Sequence, residues 1–320
     1  MIVVGGEALV DLVAEKVESA PALAPLTPRP GGGPYNVAIA LARLQTPVSM
    51  LTRLSTDDFG DALLQRLHES DVDISLVQRG DELTSLAVAI PGADGSARYS
   101  FHVQGAADRM VTDPGPLPPQ TRAISLGTLS LVLEPGATVY ETVLRRESRR
   151  GALVALDPNV RSELIDDPAA YRQRFESWLP HVGLLKLSAE DACWLDRDGD
   201  DPMHAVRKWS RMGPAAVVLT RGGEGLSVVN REGVRVDVPS TPSTIVDTIG
   251  AGDTAQAALL NWLHHNNALS TAALDELTPQ QWEAALTHAA GTAAVTCSRA
   301  GAEPPTASEV PALAAPNSAG

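Results

Sequence analysis

Short apolar runs alternate with amphipathic stretches along most of the chain. Residues 2–4, 48–51, 123–126, 153–156, 182–186 and 216–219 are runs whose length and Val/Leu/Ile/Ala content predict strands buried on both faces. The stretches 36–44, 61–70, 138–149, 171–179 and 201–211 carry the helical period and predict helices between those strands. This alternation predicts an α/β fold, with a mostly parallel sheet between two layers of helices. Residues 11–29 and 84–104 break the pattern. They read as short strands with turns, including an Asp94-Gly95 hairpin signal. Both leave the α/β pattern near the first glycine cluster, so together they predict a small β-sheet lid over a site rather than a separate domain. An alanine-rich helix is expected over 281–295. The Pro-, Ala- and Ser-rich end beyond residue 303 reads as a tail, with disorder expected at its terminus. No internal repeat is visible.

Composition narrows the classes. A chain of 320 residues with 44% hydrophobic content can bury a sizeable core. We assign residues 1–306 to one domain that includes the lid, and 307–320 to the tail. A net charge of −14 argues against nucleic acid or an anionic membrane as the main partner. It leaves room for a phosphate site built from backbone N–H groups. Cys193 and Cys297 lack CxxC spacing and are expected to be reduced thiols. No apolar run approaches membrane-spanning length, and no basic segment precedes a long apolar one. A cytoplasmic protein is the expectation.

The chemistry concentrates in Asp247-Thr248-Ile249-Gly250-Ala251-Gly252-Asp253-Thr254. Gly250 and Gly252 allow positive φ and close backbone approach to a ligand, and a strong helix former follows. A helix N-terminus offers unpaired N–H donors and about half a positive charge, which suits an anion. Asp253 at that mouth is a candidate general base beside a bound phosphate. The stretch also reads as a relaxed G-x-G-x-x-A dinucleotide motif, but no second strand follows at the right place. A Walker A sequence is absent, and a plain helix cap remains the bland alternative.

Gly31-Gly32-Gly33-Pro34-Tyr35-Asn36 is a second glycine cluster before a helix, with Asn36 suited to sugar hydroxyls. Asp11 follows the first strand and could accept bonds from two vicinal hydroxyls; a solvated aspartate is equally compatible. Asn159 and Arg161 leave another strand, and Arg161 could pair with a phosphate or sit on the surface. Thr220-Arg221-Gly222-Gly223-Glu224-Gly225 could border a nucleotide or form an ordinary hairpin. The seven histidines form no metal-ligand set.

With these motifs the chain resembles the PfkB/ribokinase-like carbohydrate kinases, most of all their fructokinase-like members. Asp247–Asp253 resembles the family's D-T-x-G-A-G-D, and the Gly31–Asn36 cluster its N-terminal signature, over 200 residues earlier. Gly6-Glu7-Ala8-Leu9-Val10-Asp11, Asp157-Pro158-Asn159-Val160-Arg161 and Cys297-Ser298-Arg299-Ala300-Gly301-Ala302 are further family-like pieces. The resemblance implies a three-layer α/β/α ribokinase-like core with a lid, and ATP with Mg2+. It implies Asp253 as the base and the N–H groups of Gly250, Ala251 and Gly252 as an anion hole. Asp11, Gly32, Gly33, Asn36, Phe101, Asn159 and Arg161 correspond to sugar contacts, and Thr220, Gly222 and Gly225 to nucleotide-loop positions. Asp247, with the carbonyls of Ile249 and Gly301, resembles a K+ site found in many members.

Two departures matter. Where the family often has N-x-x-E to organise magnesium, this chain has Ser188-Ala189-Glu190-Asp191, so Glu190 and Asp191 share the role. Where fructokinase-like chains often carry F-Y-R, it has Phe101-His102-Val103. Val103 cannot pair with a carboxylate, which disfavours an acidic sugar. The expected activity is phosphorylation of a sugar hydroxyl by ATP, with fructose as the acceptor. The alternatives are 2-keto-3-deoxygluconate kinase, ribokinase, nucleoside kinase and a non-catalytic sugar-binding homologue. A homodimer through the lid is expected by analogy with the family.

Overall fold

Parallel strands separated by helices dominate the computed structural model, which describes residues 1–14, 25–91, 97–197 and 201–313. The chain begins with β1 (Ile2–Gly5), β2 (Leu9–Ala14), β3 (Leu26–Gly31), α1 (Gly33–Arg43), β4 (Val48–Ser55) and α2 (Asp58–Glu69). Next come β5 (Val77–Gly80), β6 (Leu86–Pro91), β7 (Ala97–His102), β8 (Ala123–Gly127), α3 (Gly136–Arg149), β9 (Leu153–Asp157) and α4 (Pro168–Trp178). Then follow β10 (Leu184–Ser188), α5 (Ala189–Leu195), α6 (Pro202–Trp209), β11 (Ala216–Thr220), β12 (Leu226–Asn230) and β13 (Arg235–Val238). Three helices close the chain: α7 (Ala251–His265), α8 (Thr271–Asp275) and α9 (Pro279–Cys297).

Nine strands form one sheet in the order β13-β12-β11-β10-β9-β8-β1-β4-β5. It is parallel except where β12 and β13 add on antiparallel at one edge. Period-two alternation divides each strand between two cores. Ile2 and Val4 pack in a cluster with Leu41 of α1, Leu259 and Leu263 of α7 and Leu286 of α9. Val3 points the other way, into a cluster with Tyr140 of α3, Phe175 and Trp178 of α4 and Trp209 of α6. Two apolar faces on one sheet require two helical layers, and the three-layer architecture expected from the sequence is what forms.

The lid is a second sheet, in the order β3-β2-β6-β7. β2 pairs antiparallel with β3 and parallel with β6, which pairs antiparallel with β7. β3 sits at the edge, where Pro28 and Pro30 cost no ladder bond toward a further neighbour. Asp57 fixes the lid's root. It caps α2 by accepting from the Gly60 N–H at 2.7 Å, and it also takes the Thr84 N–H (2.9 Å) and hydroxyl (2.7 Å). Asp94-Gly95 lies outside the described residues.

The six expected core strands all form; five have ends shifted by at most two residues, and β4 runs four residues further, to Ser55. β10 starts at Leu184 because the 3-10 turn Leu179–His181 occupies the approach. The helix expected over 201–211 spans Pro202–Trp209, with Asp201 as N-cap to the Met203 N–H at 2.9 Å. The sequence pattern missed β5, β12, β13, α5 and α8, short elements of four to seven residues that hold too few positions to display a period. The C-terminal segment stays packed as far as it is described. Glu303 accepts from Arg43 at 2.8 Å and Arg66 at 2.6 Å, and Val310 and Leu313 pack on the core. The expected disordered end falls on residues 314–320, outside the described residues.

Candidate active site

The carboxyl ends of the parallel strands, where open α/β sheets collect their ligands, meet the first turn of α7. Gly250, its N-cap, adopts φ 76°, ψ 0°. A Cβ there would lie 2.7 Å from that of Ala302, so both conformation and space require glycine. No side chain caps α7. The Ala251 N–H turns back to the Thr248 carbonyl at 3.2 Å. The Gly250 and Gly252 amides have no such acceptor among the described residues. Of the three amides expected in the anion hole, two are therefore open donors and one is engaged in the turn.

Asp253 follows in the first turn and is buried. Its Oδ2 accepts from Asn36 Nδ2 at 2.9 Å, joining the two glycine signatures across 217 positions of sequence. Gly33 is adjacent: a Cβ there would meet the Thr128 methyl at 2.6 Å and Asp253 Oδ1 at 3.4 Å. Burial pushes the Asp253 carboxyl up from 3.8 to about 7. The negative field of Asp157 adds to the rise, while the Asn36 hydrogen bond, Lys186 and Arg161 oppose it.

This shift sets a stability prediction. The folded protein holds a proton on Asp253 that the unfolded chain has released between about pH 4 and 7. Folding stability therefore falls across that window, by about 4 kcal/mol in all if the group acts alone. Asp253→Asn removes this cost, so its advantage over the parent in denaturant unfolding is expected to be larger at pH 8 than at pH 5. Equal differences at the two pH values would contradict the assignment.

Asp253 and Asn36 line a cavity of about 260 Å³ with Asp11, Gly32, Gly33, Phe101, Asn159, Arg161, Ile249, Gly250 and Gly252. That is slightly below the roughly 300–1,000 Å³ of drug-sized sites and suits one small polar molecule. Asp11 projects from β2, making it part of the lid. Burial lifts its carboxyl to about 6, with Arg161 opposing the rise. Arg161 Nη1 donates to Asn159 Oδ1 at 2.7 Å and to two nearby carbonyls. Tyr99 and Phe101 of β7 stack with centroids 5.9 Å apart and form part of the lid side of the cavity. Val103, at the position of the family's arginine, is buried and does not line the cavity.

The remaining expected positions lie outside this cavity. Thr220 ends β11, and Gly222 to Glu224 form an exposed turn into β12, so the loop is also the hairpin considered above. Gly225 (φ 95°) passes so close to the Val238 carbonyl that a Cβ would lie 2.1 Å from its oxygen. Asp247 accepts from the Ile249 N–H at 3.0 Å and the Gly301 N–H at 2.8 Å, gathering the expected cation-site positions around one carboxylate. Asp191 is fully engaged, taking the Val160 N–H (2.7 Å) and both the N–H and hydroxyl of Ser188. Glu190 beside it is exposed. No group of three or more His, Cys, Asp and Glu side chains among the described residues could hold a metal.

Several residues escaped the sequence reading. Glu7 lines the cavity, buried, with its carboxylate accepting from the Thr128 hydroxyl and the Ser130 N–H, and burial lifts it to about 7. Thr128 and Tyr99 line it too. Lys186 and Asp157 form a buried ion pair under α7. A signal for Lys186 was present: it is the one charged residue in the apolar run Leu184-Leu185-Lys186-Leu187, and a charge inside a strand buried on both faces needs a partner.

Comparison with known proteins agrees with this geometry. A profile of the pfkB family carbohydrate kinases matches residues 1–309. The chain is 34% identical over 281 residues to a fructokinase of Rhizobium leguminosarum bv. trifolii, covering 86% of this chain and 84% of that one. It is 31% identical over 258 residues to a fructokinase of Klebsiella pneumoniae, covering 80% and 81%. The crystal structure of fructokinase with bound ATP from Xylella fastidiosa superposes with a TM-score of 0.83 at 25% identity, covering 98% and 95%. Its fold, its paired glycine signatures and a family match over nearly its whole length together make this chain a member of the pfkB family of carbohydrate kinases.

Proposed function

We propose that this kinase transfers the γ-phosphoryl group of ATP to a terminal hydroxyl of fructose. The observation that carries the reading is the Asn36–Asp253 hydrogen bond, because it places a buried carboxylate at the meeting of the sugar cavity and the open N-terminus of α7. The hydroxyl oxygen attacks the γ-phosphorus and the bond to the ADP oxygen breaks. The hydroxyl proton passes to Asp253. The Gly250 and Gly252 amides receive the phosphoryl oxygens, where each donor is worth roughly 3–4 kcal/mol in the transition state. Asp11, Asn36, Asn159 and Arg161 orient the sugar, and Tyr99 and Phe101 of the lid screen the site from water. With no cation from position 103 in the cavity, a neutral sugar fits better than an acidic one.

The nucleotide lies along the turn that follows Thr220, where Gly222 is exposed and free to meet it and Gly225 closes the turn against the Val238 carbonyl. The metal positions fit their ions in donor type. Glu190 supplies a carboxylate for a hydrated Mg2+, which keeps several waters and binds few protein groups. Asp191 holds the loop at Val160 in register with it. Asp247 and the carbonyls of Ile249 and Gly301 supply hard oxygens for K+. Bound Mg2+ neutralises phosphate charge. We also assign the protein to the cytoplasm and to a homodimer through the lid, where Leu26 and Ile90 are exposed.

The test is ADP release over a panel of fructose, glucose, ribose, 2-keto-3-deoxygluconate and adenosine, with and without K+. Fructose is expected to give the highest kcat/KM. Preference for another acceptor removes the fructose assignment, and no turnover with any leaves a sugar-binding protein.

A further inference from the structure

Glu7 has no part in the reaction as described, although it lines the sugar cavity. It sits in the short connection from β1 to the lid strand β2, and β1 is the sheet neighbour of β8. Its side chain therefore meets the turn that leaves β8. That turn is a 3-10 segment, Thr128–Leu131, and its first residue, Thr128, has φ 58°. A β-branched residue in the left-handed region is strained and persists only where its surroundings hold it there. The Glu7 carboxylate supplies the hold. Oε1 accepts from the Thr128 hydroxyl, and Oε2 accepts from the Ser130 N–H at 3.0 Å. Glu7 is 3% exposed and forms no ion pair among the described residues; the charge acting on it, from Asp108, is of like sign. A carboxylate buried without a cation is a poor stabiliser. What it offers here is two acceptor oxygens that reach two donors of one turn.

The same turn shapes the sugar side of the site. Thr128 and Leu129 both line the cavity. The Thr128 methyl fills the space over Gly33, where a Cβ would lie 2.6 Å from it and 3.4 Å from Asp253 Oδ1. Leu129 packs with Leu9 of β2 and Ala87 of β6, and Phe101 of β7 lies against them, so the turn also seats the lid. The nucleotide turn follows β11, three strands away from β8 in the sheet. Resting on the reading that this cavity takes the sugar, we propose that Glu7 is a positioning residue for sugar binding that acts through Thr128. By holding the turn in its left-handed start, it sets both the wall beside Asp253 and the seat of the lid. In this role Glu7 touches none of the reacting atoms and exchanges no proton with the substrate. Loss of the hold lets the backbone at Thr128 relax, and wall and lid seat shift together. Affinity for the sugar then falls while affinity for the nucleotide does not.

The experiment compares the parent, Glu7→Gln, Glu7→Asp, Thr128→Gly and the double variant Glu7→Gln/Thr128→Gly. Glutamine keeps the size of Glu7 but has one acceptor oxygen for two donors. Aspartate keeps the charge but is too short to reach both. Glycine adopts the left-handed region without help. Glu7→Gln and Glu7→Asp are each expected to raise the KM for fructose about tenfold, with kcat and the KM for ATP within threefold of the parent. Tenfold corresponds to about 1.4 kcal/mol, within the strain that such a backbone stores. Introduced into Thr128→Gly, the change Glu7→Gln should raise the KM for fructose no more than threefold, because no strained backbone is left to hold. Calorimetric titration with fructose alone should repeat the pattern in Kd, apart from turnover. A KM for fructose within threefold of the parent in both single Glu7 variants would overturn the inference. So would a tenfold rise from Glu7→Gln in both backgrounds, or a matching rise in the KM for ATP, since either makes Glu7 a general structural support. If at the same time the parent phosphorylates fructose and Asp253→Asn is impaired, the kinase reading stands. A parent that phosphorylates no sugar removes both.

Discussion

Asp253→Asn is expected to lower turnover with ATP and fructose at least about a hundredfold, the low end of what a positioned general base contributes. The KM for each substrate should stay within a few-fold. Asparagine keeps the shape of the side chain and can still pair with Asn36, so the cavity and the α7 turn survive while the proton acceptor is lost. The raised pKa predicts the pH profile. The base works only when ionised, so kcat of the parent should fall as pH drops through about 7. In Asp253→Asn that acid limb should vanish from the residual rate. Steady-state kinetics from pH 5.5 to 9 tests both parts. Near-parental turnover in the variant, or an acid limb that persists in it unchanged, would remove Asp253 from the mechanism.

Asp11→Ala should act on binding instead. The Asp11 carboxylate reaches the cavity from the lid, and a pair of bonds to vicinal hydroxyls would each carry about 1.5–3 kcal/mol as charge-assisted interactions. Losing both raises the KM for fructose about a hundredfold or more, since 1.4 kcal/mol corresponds to tenfold. The KM for ATP should move little, because Asp11 is on the sugar side of the site. Thermal stability should hold or rise, since the variant removes a carboxylate that burial lifts to about 6. An unchanged KM for fructose would mean that the sugar lies deeper than the lid strand.

The layered fold was legible in the sequence because buried parallel strands are continuous apolar runs and their helices are long enough to show a period. The lid was visible as the place where that rhythm stopped. Most of the cavity was legible as well, since glycine clusters at helix starts have few structural explanations. The buried charges were harder to see. Glu7 looks like an ordinary member of a turn until the fold places it beside Thr128, and Lys186, conspicuous as a charge in an apolar run, shows its partner Asp157 only once β10 lies against β9. Asp191 was legible only in part. As an acidic residue in a magnesium-like motif it suggested an indirect metal role, and the fold shows its oxygens taking the Ser188 cap and the Val160 amide, contacts the motif alone does not announce. Pairing across distant strands carries no local signature, so side chains defined by their partners emerge only in three dimensions.

The span of the Asn36–Asp253 bond bears on when the chain becomes an enzyme. During synthesis the lid strands and α1 emerge first, and with them most of the groups assigned to the sugar. Asp253 arrives only with α7, the same helix whose Leu259 and Leu263 complete the core against α1. A nascent chain halted before that helix has neither a finished interior nor the proposed base. With Asp253 as the base, maturation of the fold and onset of phosphoryl transfer depend on one late segment, and catalytic activity reports that the chain has been made through α7.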